Sequence, residues 1–295
     1  MIFCLQGEKF LAQCFIDHKQ QISRAARPIQ DCLTSLAEPR FGVKQLHWKE
    51  KERGSENVAK KVRKGDGGGK LDPKILIFDV DGVLVDVRET YWRSGLQTIQ
   101  HLTGKKATWA DFHKWKRLPG NNDDWMMVSR WATSLGVPTT YEQARLAFSP
   151  FYWGKDGKPG NVAKEKLLVT PKLIERWSNR RELNLFTGRT RQEFTWTFDK
   201  WPAVRAFRTI ITMDDAKKKP NPEGLRIILA GRNPKSALYL GDNIDDALAA
   251  EAARVPFMAI VAKTEPDYRE RARKFRELGA LRLLGRARDL DRLLV

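Results

Sequence analysis

The chain has 295 residues, 41% of them apolar and 31% charged, with 54 Lys/Arg against 36 Asp/Glu for a net charge of +18. That apolar fraction supports a real core and excludes global disorder, and no uninterrupted apolar stretch approaches the ~20 residues that a membrane-spanning helix needs. The basic surplus is spread out, +6 over residues 1–70 (14 Lys/Arg against 8 Asp/Glu) and +12 over the remainder (40 against 28), so it favours anionic partners from phosphorylated metabolites to nucleic acid.

Residues 1–70 read as a separate, flexible or poorly structured N-terminal extension. The start lacks the basic flank, long apolar run and small-residue cleavage site of a secretory signal. The three cysteines, Cys4, Cys14 and Cys32, all fall here. Their odd number, with none in the apparent catalytic region, argues against a disulfide framework and for a reducing cytoplasm, and their spacing fits no common zinc-ligand pattern. Helical pieces can form around Phe10–Ile22. The stretch Lys49–Lys70 is almost wholly polar and ends in Lys64-Gly65-Asp66-Gly67-Gly68-Gly69-Lys70, the composition of a linker. A genuine leader and an upstream extension of the reading frame would both look like this.

From Pro73 the pattern becomes that of a folded α/β protein. Apolar runs predict strands at Ile75–Phe78, Leu183–Phe186, Thr209–Thr212, Ala237–Leu240 and Phe257–Val261. Amphipathic spacing predicts helices between the later ones, at Arg191–Lys200, Pro222–Ala230, Asp245–Ala253 and Pro266–Leu278. Such alternation implies a parallel, Rossmann-like sheet covered on both faces. About a hundred residues separate the first two strands, far more than a crossover requires. They carry helix candidates at Glu89–Leu102, Trp109–Lys116, Asp124–Leu135, Tyr141–Phe151 and Pro171–Asn179, so an inserted helical domain is expected. Its tryptophans fall on helical spacing with other apolar residues and are expected to pack its core.

Four polar clusters end predicted strands or open the turns after them: Asp79-Val80-Asp81-Gly82, Thr187-Gly188-Arg189, Lys217-Lys218-Lys219-Pro220 and Gly241-Asp242-Asn243-Ile244-Asp245-Asp246. Connections in a parallel sheet bring such ends to one edge. Asp79 and Asp81, one residue apart on a strand end, lean the same way. A phosphoryl group repels a carboxylate nucleophile, so the chemistry calls for cations. Asp242 can join Asp79 in holding a hard divalent ion such as Mg²⁺, and Lys219 can add a second positive charge. Thr187 and nearby backbone N–H groups can donate to phosphate oxygens. Asp81 can protonate the leaving alcohol and later deprotonate water.

The ordered set Asp-x-Asp-Gly-Val, Thr-Gly-Arg, Lys-Pro-x-Pro-Glu and Gly-Asp-x-x-Asp-Asp, running from Pro73 to Val295, resembles the haloacid dehalogenase superfamily. The resemblance implies an α/β core over residues 71–87 and 171–295 and a helical cap over 88–170. It implies a Mg²⁺-dependent phosphatase that works through an aspartyl-phosphate. Asp79 would be nucleophile and metal ligand, and Asp81 acid/base with its backbone carbonyl on the metal. Thr187 and Gly188 would bind phosphate, Lys219 would clamp its charge, and Asp242 would bind metal. Asp245 or Asp246, with Asp246 favoured, would complete the metal site. Lys219 is preferred to Lys217 and Lys218 because it directly precedes Pro220-Asn221-Pro222. The resemblance implies a small phosphorylated metabolite as partner, and leaves open a phosphomutase on the same core.

Within the helical stretch, Gly120-Asn121-Asn122-Asp123-Asp124-Trp125 is the most unusual sequence. Asn121, Asn122 and also Arg189 are candidates for contact with a polar or amine-bearing substrate. With Asp86-Val87-Arg88 this stretch resembles a branch of the superfamily linked with histidine-biosynthesis enzymes, which points toward histidinol phosphate; phosphoglycolate, sugar phosphates and nucleotides stay open. A second class of function, a basic nucleic-acid-binding protein, would rest on residues 1–70 and the charge surplus, although no helix-turn-helix, zinc finger or aromatic RNA-binding motif is present.

Overall fold

The structure, a computed structural model, describes residues 70–295 apart from residues 117 and 119. The extension foreseen over residues 1–70, with its helical pieces and its linker, lies outside the described residues except for Lys70. Six parallel strands form the central sheet: β1 (Ile75–Phe78), β2 (Glu182–Phe186), β3 (Phe207–Ile211), β4 (Ala237–Gly241), β5 (Phe257–Ile260) and β6 (Arg282–Leu284), in the order β6-β5-β4-β1-β2-β3. This is the Rossmann-like α/β arrangement that the alternating sequence implied.

Strand β1 explains itself. All four residues are buried, and they alternate between two apolar clusters: Leu76 and Phe78 in one, Ile75 and Ile77 in the other. A strand apolar on both faces needs cover on both. The Ile75/Ile77 face is covered by α7 (Glu223–Leu229), α8 (Ile244–Ala253) and α9 (Tyr268–Glu277), through Leu225, Ile228, Ala247, Ala250 and Phe275. The Leu76/Phe78 face receives α5 (Pro171–Ser178) and α6 (Arg191–Phe198), through Ile174, Trp177, Phe194 and Phe198. Trp177 stacks on Phe78 with ring centroids 5.3 Å apart, a contact worth about 0.5–1.5 kcal/mol beyond its buried area.

Between β1 and β2 the chain is mainly helical. A π-helical turn, Arg88–Trp92, runs into α1 (Arg93–Thr103), followed by α2 (Trp109–Lys116), α3 (Asp124–Ser134) and α4 (Tyr141–Trp153). Thr140 and Gln143 form a capping box that starts α4, and Asp123 caps α3. Ile99, Phe112, Met127, Trp131, Phe148 and Tyr152 belong to the same apolar cluster as the Leu76/Phe78 face. Most tryptophans here serve packing: Trp115 stacks on Trp131, and Trp92 lies against Phe112.

Some boundaries differ from expectation. Strand β3 begins two residues before Thr209, because Phe207 is buried and pairs with Leu183. It ends before Thr212, whose N–H and hydroxyl instead bond Asp215. Strand β6 was not foreseen; three residues after a charged helix give too short a signal. The supposedly strand-free stretch also holds two short antiparallel pairs. Val85–Asp86 pairs with Lys166–Leu167, closing the base of the helical segment, and Gly154–Lys155 pairs with Lys158–Pro159. No helix among the described residues is long and apolar enough to cross a membrane.

Candidate active site

The chain leaves β1, adds β2 and β3 on one side, and returns to place β4 on the other. The crevice beside β1 is therefore a switch point, where ligands of open α/β sheets bind. Asp79 follows β1 directly, and its N–H donates to the Leu240 carbonyl at 2.8 Å. After it the chain turns on Gly82, at φ +71°. A Cβ on Gly82 would lie 2.2 Å from Asp242 Oδ2, so only glycine lets this turn approach Asp242.

Asp79, Asp242 and Asp246 converge, each offering a carboxylate oxygen, with the three atoms within 4.8 Å of one another. Lys219 reaches in from the loop before α7, its Nζ 2.9 Å from Asp79 Oδ1 and 2.7 Å from Asp246 Oδ1. The Val80 N–H donates to Asp79 Oδ1 at 2.7 Å. Asp246 is held further by the Tyr239 hydroxyl at 2.6 Å and by the Asn243 N–H at 3.0 Å. The last bond is half of the capping box that opens α8; one carboxylate thus ends a helix and completes the acidic cluster. Asp245 turns elsewhere, its Oδ1 accepting the Gly120 N–H at 3.4 Å.

The charge balance is unusual. Burial pushes the Asp79 carboxyl well above its ordinary range; Lys219 opposes this, while Asp246, Asp242 and Asp81 add to it. Asp242 is pushed up to about 7 by burial, only partly relieved by Arg271. Burial works against the Lys219 charge, yet Asp246 and Asp79 outweigh it and raise its pKa. Two buried carboxylates, Asp79 and Asp246, and a half-buried third, Asp242, facing mainly one ammonium leave an excess of negative charge, and every donor is oxygen. That set fits a hard divalent cation such as Mg²⁺.

Thr187 directly follows β2, buried, and Gly188 lines the cleft. Arg189 neither points to solvent nor simply caps the sheet edge. Its guanidinium is fully buried and donates from Nε (2.9 Å) and Nη2 (2.7 Å) to Asp81 Oδ1, with a further bond from Nη2 to Glu165 Oε1 at 2.8 Å. Asp81, 30% exposed at its side chain, therefore opens toward the cleft from a fixed base. Asn122 lines the cleft, but Asn121 does not: it is fully buried, donating to the Trp115 carbonyl and accepting from Arg130. Asn121 thus braces the loop that Asn122 presents.

A family model for haloacid dehalogenase-like hydrolases matches residues 171–260. A haloacid dehalogenase-like protein from Agrobacterium tumefaciens superposes with a TM-score of 0.58 at 16% identity, over 74% of this chain and 96% of its own. The chain resembles the haloacid dehalogenase-like hydrolases, in sequence over residues 171–260 and in fold over its described residues. Among curated relatives, phosphoglycolate phosphatase 1 of Pseudomonas aeruginosa is 28% identical over 195 residues, 64% of this chain and 69% of that protein. An imidazoleglycerol-phosphate dehydratase of Phytophthora nicotianae is 27% identical over 187 residues, and the match spans 60% of this chain but only 41% of the dehydratase.

Some residues of this cleft escaped the sequence. Lys116 pairs at 2.8 Å in its wall with Asp124, a member of the unusual stretch 120–125, and Glu193 lines it with Oε1 buried and without a hydrogen-bond partner. Burial pushes the Glu193 carboxyl up to about 7 despite bonds from Thr190. The pattern Thr190-x-x-Glu193, a capping box, carried a signal for Glu193. Glu165 and Lys116 carried none, because only the tertiary fold brings them near the motifs.

Proposed function

We propose that this chain is a Mg²⁺-dependent phosphatase that hydrolyses a small phosphomonoester through an aspartyl-phosphate on Asp79. The observation that carries this is Lys219 standing between buried Asp79 and Asp246, with half-buried Asp242 completing an all-oxygen set. Asp79, Asp242 and Asp246 would hold the cation, which when bound supplies charge neutralisation for the phosphoryl oxygens.

An Asp79 oxygen attacks phosphorus, and the bond from phosphorus to the ester oxygen breaks. Asp81, steadied by Arg189, gives its proton to the departing oxygen, so the product leaves as an alcohol. Asp81 then takes a proton from water. The resulting hydroxide attacks phosphorus, the acyl–phosphate bond breaks, and inorganic phosphate departs with Asp79 restored. Lys219, Thr187 and the backbone at Gly188 hold the phosphoryl oxygens throughout. The helical segment 88–170 acts as a cap: Lys116, Asn122, Asp124 and Trp125 face the leaving group and exclude bulk water.

The test is a panel of phosphate esters with the purified full-length chain and Mg²⁺. Phosphate release is expected for at least one ester and is abolished by chelation. Asp79→Asn should lower turnover by at least ~10³-fold with the fold intact, and acid-quenched wild type should carry one phosphoryl group that the variant lacks. Turnover retained in Asp79→Asn overturns the proposal.

A further inference from the structure

Away from the cleft, three side chains from two distant stretches meet. His113 lies on α2, and Glu265 and Asp267 lie in the loop between β5 and α9. One ligand atom from each, an imidazole nitrogen and two carboxylate oxygens, lies within 4.8 Å of the other two. His113 Nδ1 stands 4.0 Å from Asp267 Oδ2, with the side chains 14% and 5% exposed.

Asp267 holds the N-cap position of α9, where an aspartate ordinarily accepts from the first free backbone N–H groups. Here it makes no capping hydrogen bond. Its Oδ1 is buried without any hydrogen-bond partner, and the residue is only 9% exposed. A carboxylate oxygen left this way is destabilising by about 1–3 kcal/mol or more, and the 4.0 Å to His113 is too long for a hydrogen bond. Asp267 thus forgoes its local role and faces a group that does not satisfy it. The His113 ring is steadied by Trp92, packed edge-on at 5.1 Å. His113 and Glu265 also line a surface cavity with Arg88, whose charge faces Glu265 but is already paired with Asp86 at 2.6 Å.

We propose that His113, Glu265 and Asp267 form a second metal site, distinct from the cluster around Asp79, that takes Zn²⁺ in preference to Mg²⁺. One imidazole and two carboxylates suit zinc, whereas the all-oxygen site beside β1 suits magnesium. Three protein ligands leave a fourth position for water. Bonds of ~2.0 Å in a tetrahedron put ligand atoms roughly 3.3 Å apart, so the three donors need only draw together by side-chain movement. The ion would tie α2 of the helical segment to the loop after β5. Trp92 touches both His113 and the active-site cleft, so occupancy would also stiffen one wall of that cleft.

The test is calorimetric titration of Zn²⁺ into metal-free, full-length protein in millimolar Mg²⁺, which fills the all-oxygen site. One Zn²⁺ per chain is expected, at micromolar affinity or tighter. His113→Ala and Glu265→Gln should each weaken it at least ~10-fold, while Asp242→Asn leaves it unchanged. Glu265 is partly exposed, so its variant keeps the test meaningful if His113→Ala does not fold. Zinc binding that survives both variants, or that disappears with Asp242→Asn, overturns the proposal; so does the absence of binding tighter than millimolar. None of these outcomes bears on the phosphatase assignment, which the Asp79→Asn panel tests separately.

Discussion

Arg189 shows how one side chain can decide what a neighbour does. Its Nε and Nη2 donate to Asp81, Nη2 also to Glu165, and Nη1 to the Thr197 hydroxyl, and its guanidinium lies over the Tyr91 ring at 5.2 Å. It has no arm left for phosphate, so in the proposed mechanism it aims Asp81. Lysine would keep the charge but lose the two-pronged hold. Arg189→Lys should therefore lower kcat by about 10–100-fold with KM little changed. A raised KM at unchanged kcat in steady-state kinetics would instead put Arg189 on the substrate. Glu193 gives a pH prediction of its own. Its folded pKa of about 7 lies above the ordinary 4.5 because the carboxyl is buried, so between those values the native state keeps a proton that the unfolded chain has released. Stability is full below about pH 4.5 and falls as pH rises through 7, by at most about 3 kcal/mol. Urea unfolding at pH 5 and pH 8 should show wild type losing about 1–3 kcal/mol more than Glu193→Gln over that interval. Equal losses would mean that Glu193 is not held neutral by the fold.

At the scale of elements, what the sequence made legible was whatever local physics decides. Ile75–Phe78 reads as a buried strand because four apolar residues end in Asp79, and helices α2 and α3 read correctly from apolar spacing. Strand β6 and the Val85–Asp86 pairing exist only because a neighbour is there to pair with, and no local pattern announces that. Close packing between elements is equally silent. Gly224, in the first turn of α7, sits so near β2 that an added Cβ would lie 2.3 Å from the Phe186 ring. Alanine would gain helix propensity of up to ~1 kcal/mol, but the collision opposes it, and overpacking of a tight core costs about 1–3 kcal/mol. Gly224→Ala should be destabilised in thermal or urea unfolding. Because Phe186 directly precedes Thr187, phosphate affinity should weaken with it. A variant more stable than wild type would show that α7 can withdraw from the sheet freely.

For the molecule as a whole, the four motifs were legible because three directly follow strands and the fourth lies in the loop between β3 and α7, and a parallel sheet has only one edge at which strand ends of one sense can gather. What the sequence could not supply was the pairing among them: Asp246 rather than Asp245 beside Lys219, or Arg189 bound to Asp81. Net charge belongs to this scale too. A charge of +18 draws small dianions and duplex nucleic acid alike, but the two respond to salt differently. A dianionic ester meets a screened general field, so raising ionic strength from about 0.02 to 0.3 M should raise KM a few-fold and leave kcat alone. A duplex held only by scattered lysines and arginines releases many counterions, and non-specific affinity of this kind lies near 10⁻⁴–10⁻⁶ M at physiological salt. Among the described residues, the largest tryptophan surfaces are engaged in packing, as with Trp131 and Trp177, so stacking platforms for bases are few. Gel-shift titration of the full-length chain should therefore show duplex binding that is lost by about 0.2 M salt. Binding tighter than micromolar that persists there would shift the primary role toward nucleic acid, and the basic surplus would then be a recognition surface rather than a field that gathers phosphate esters.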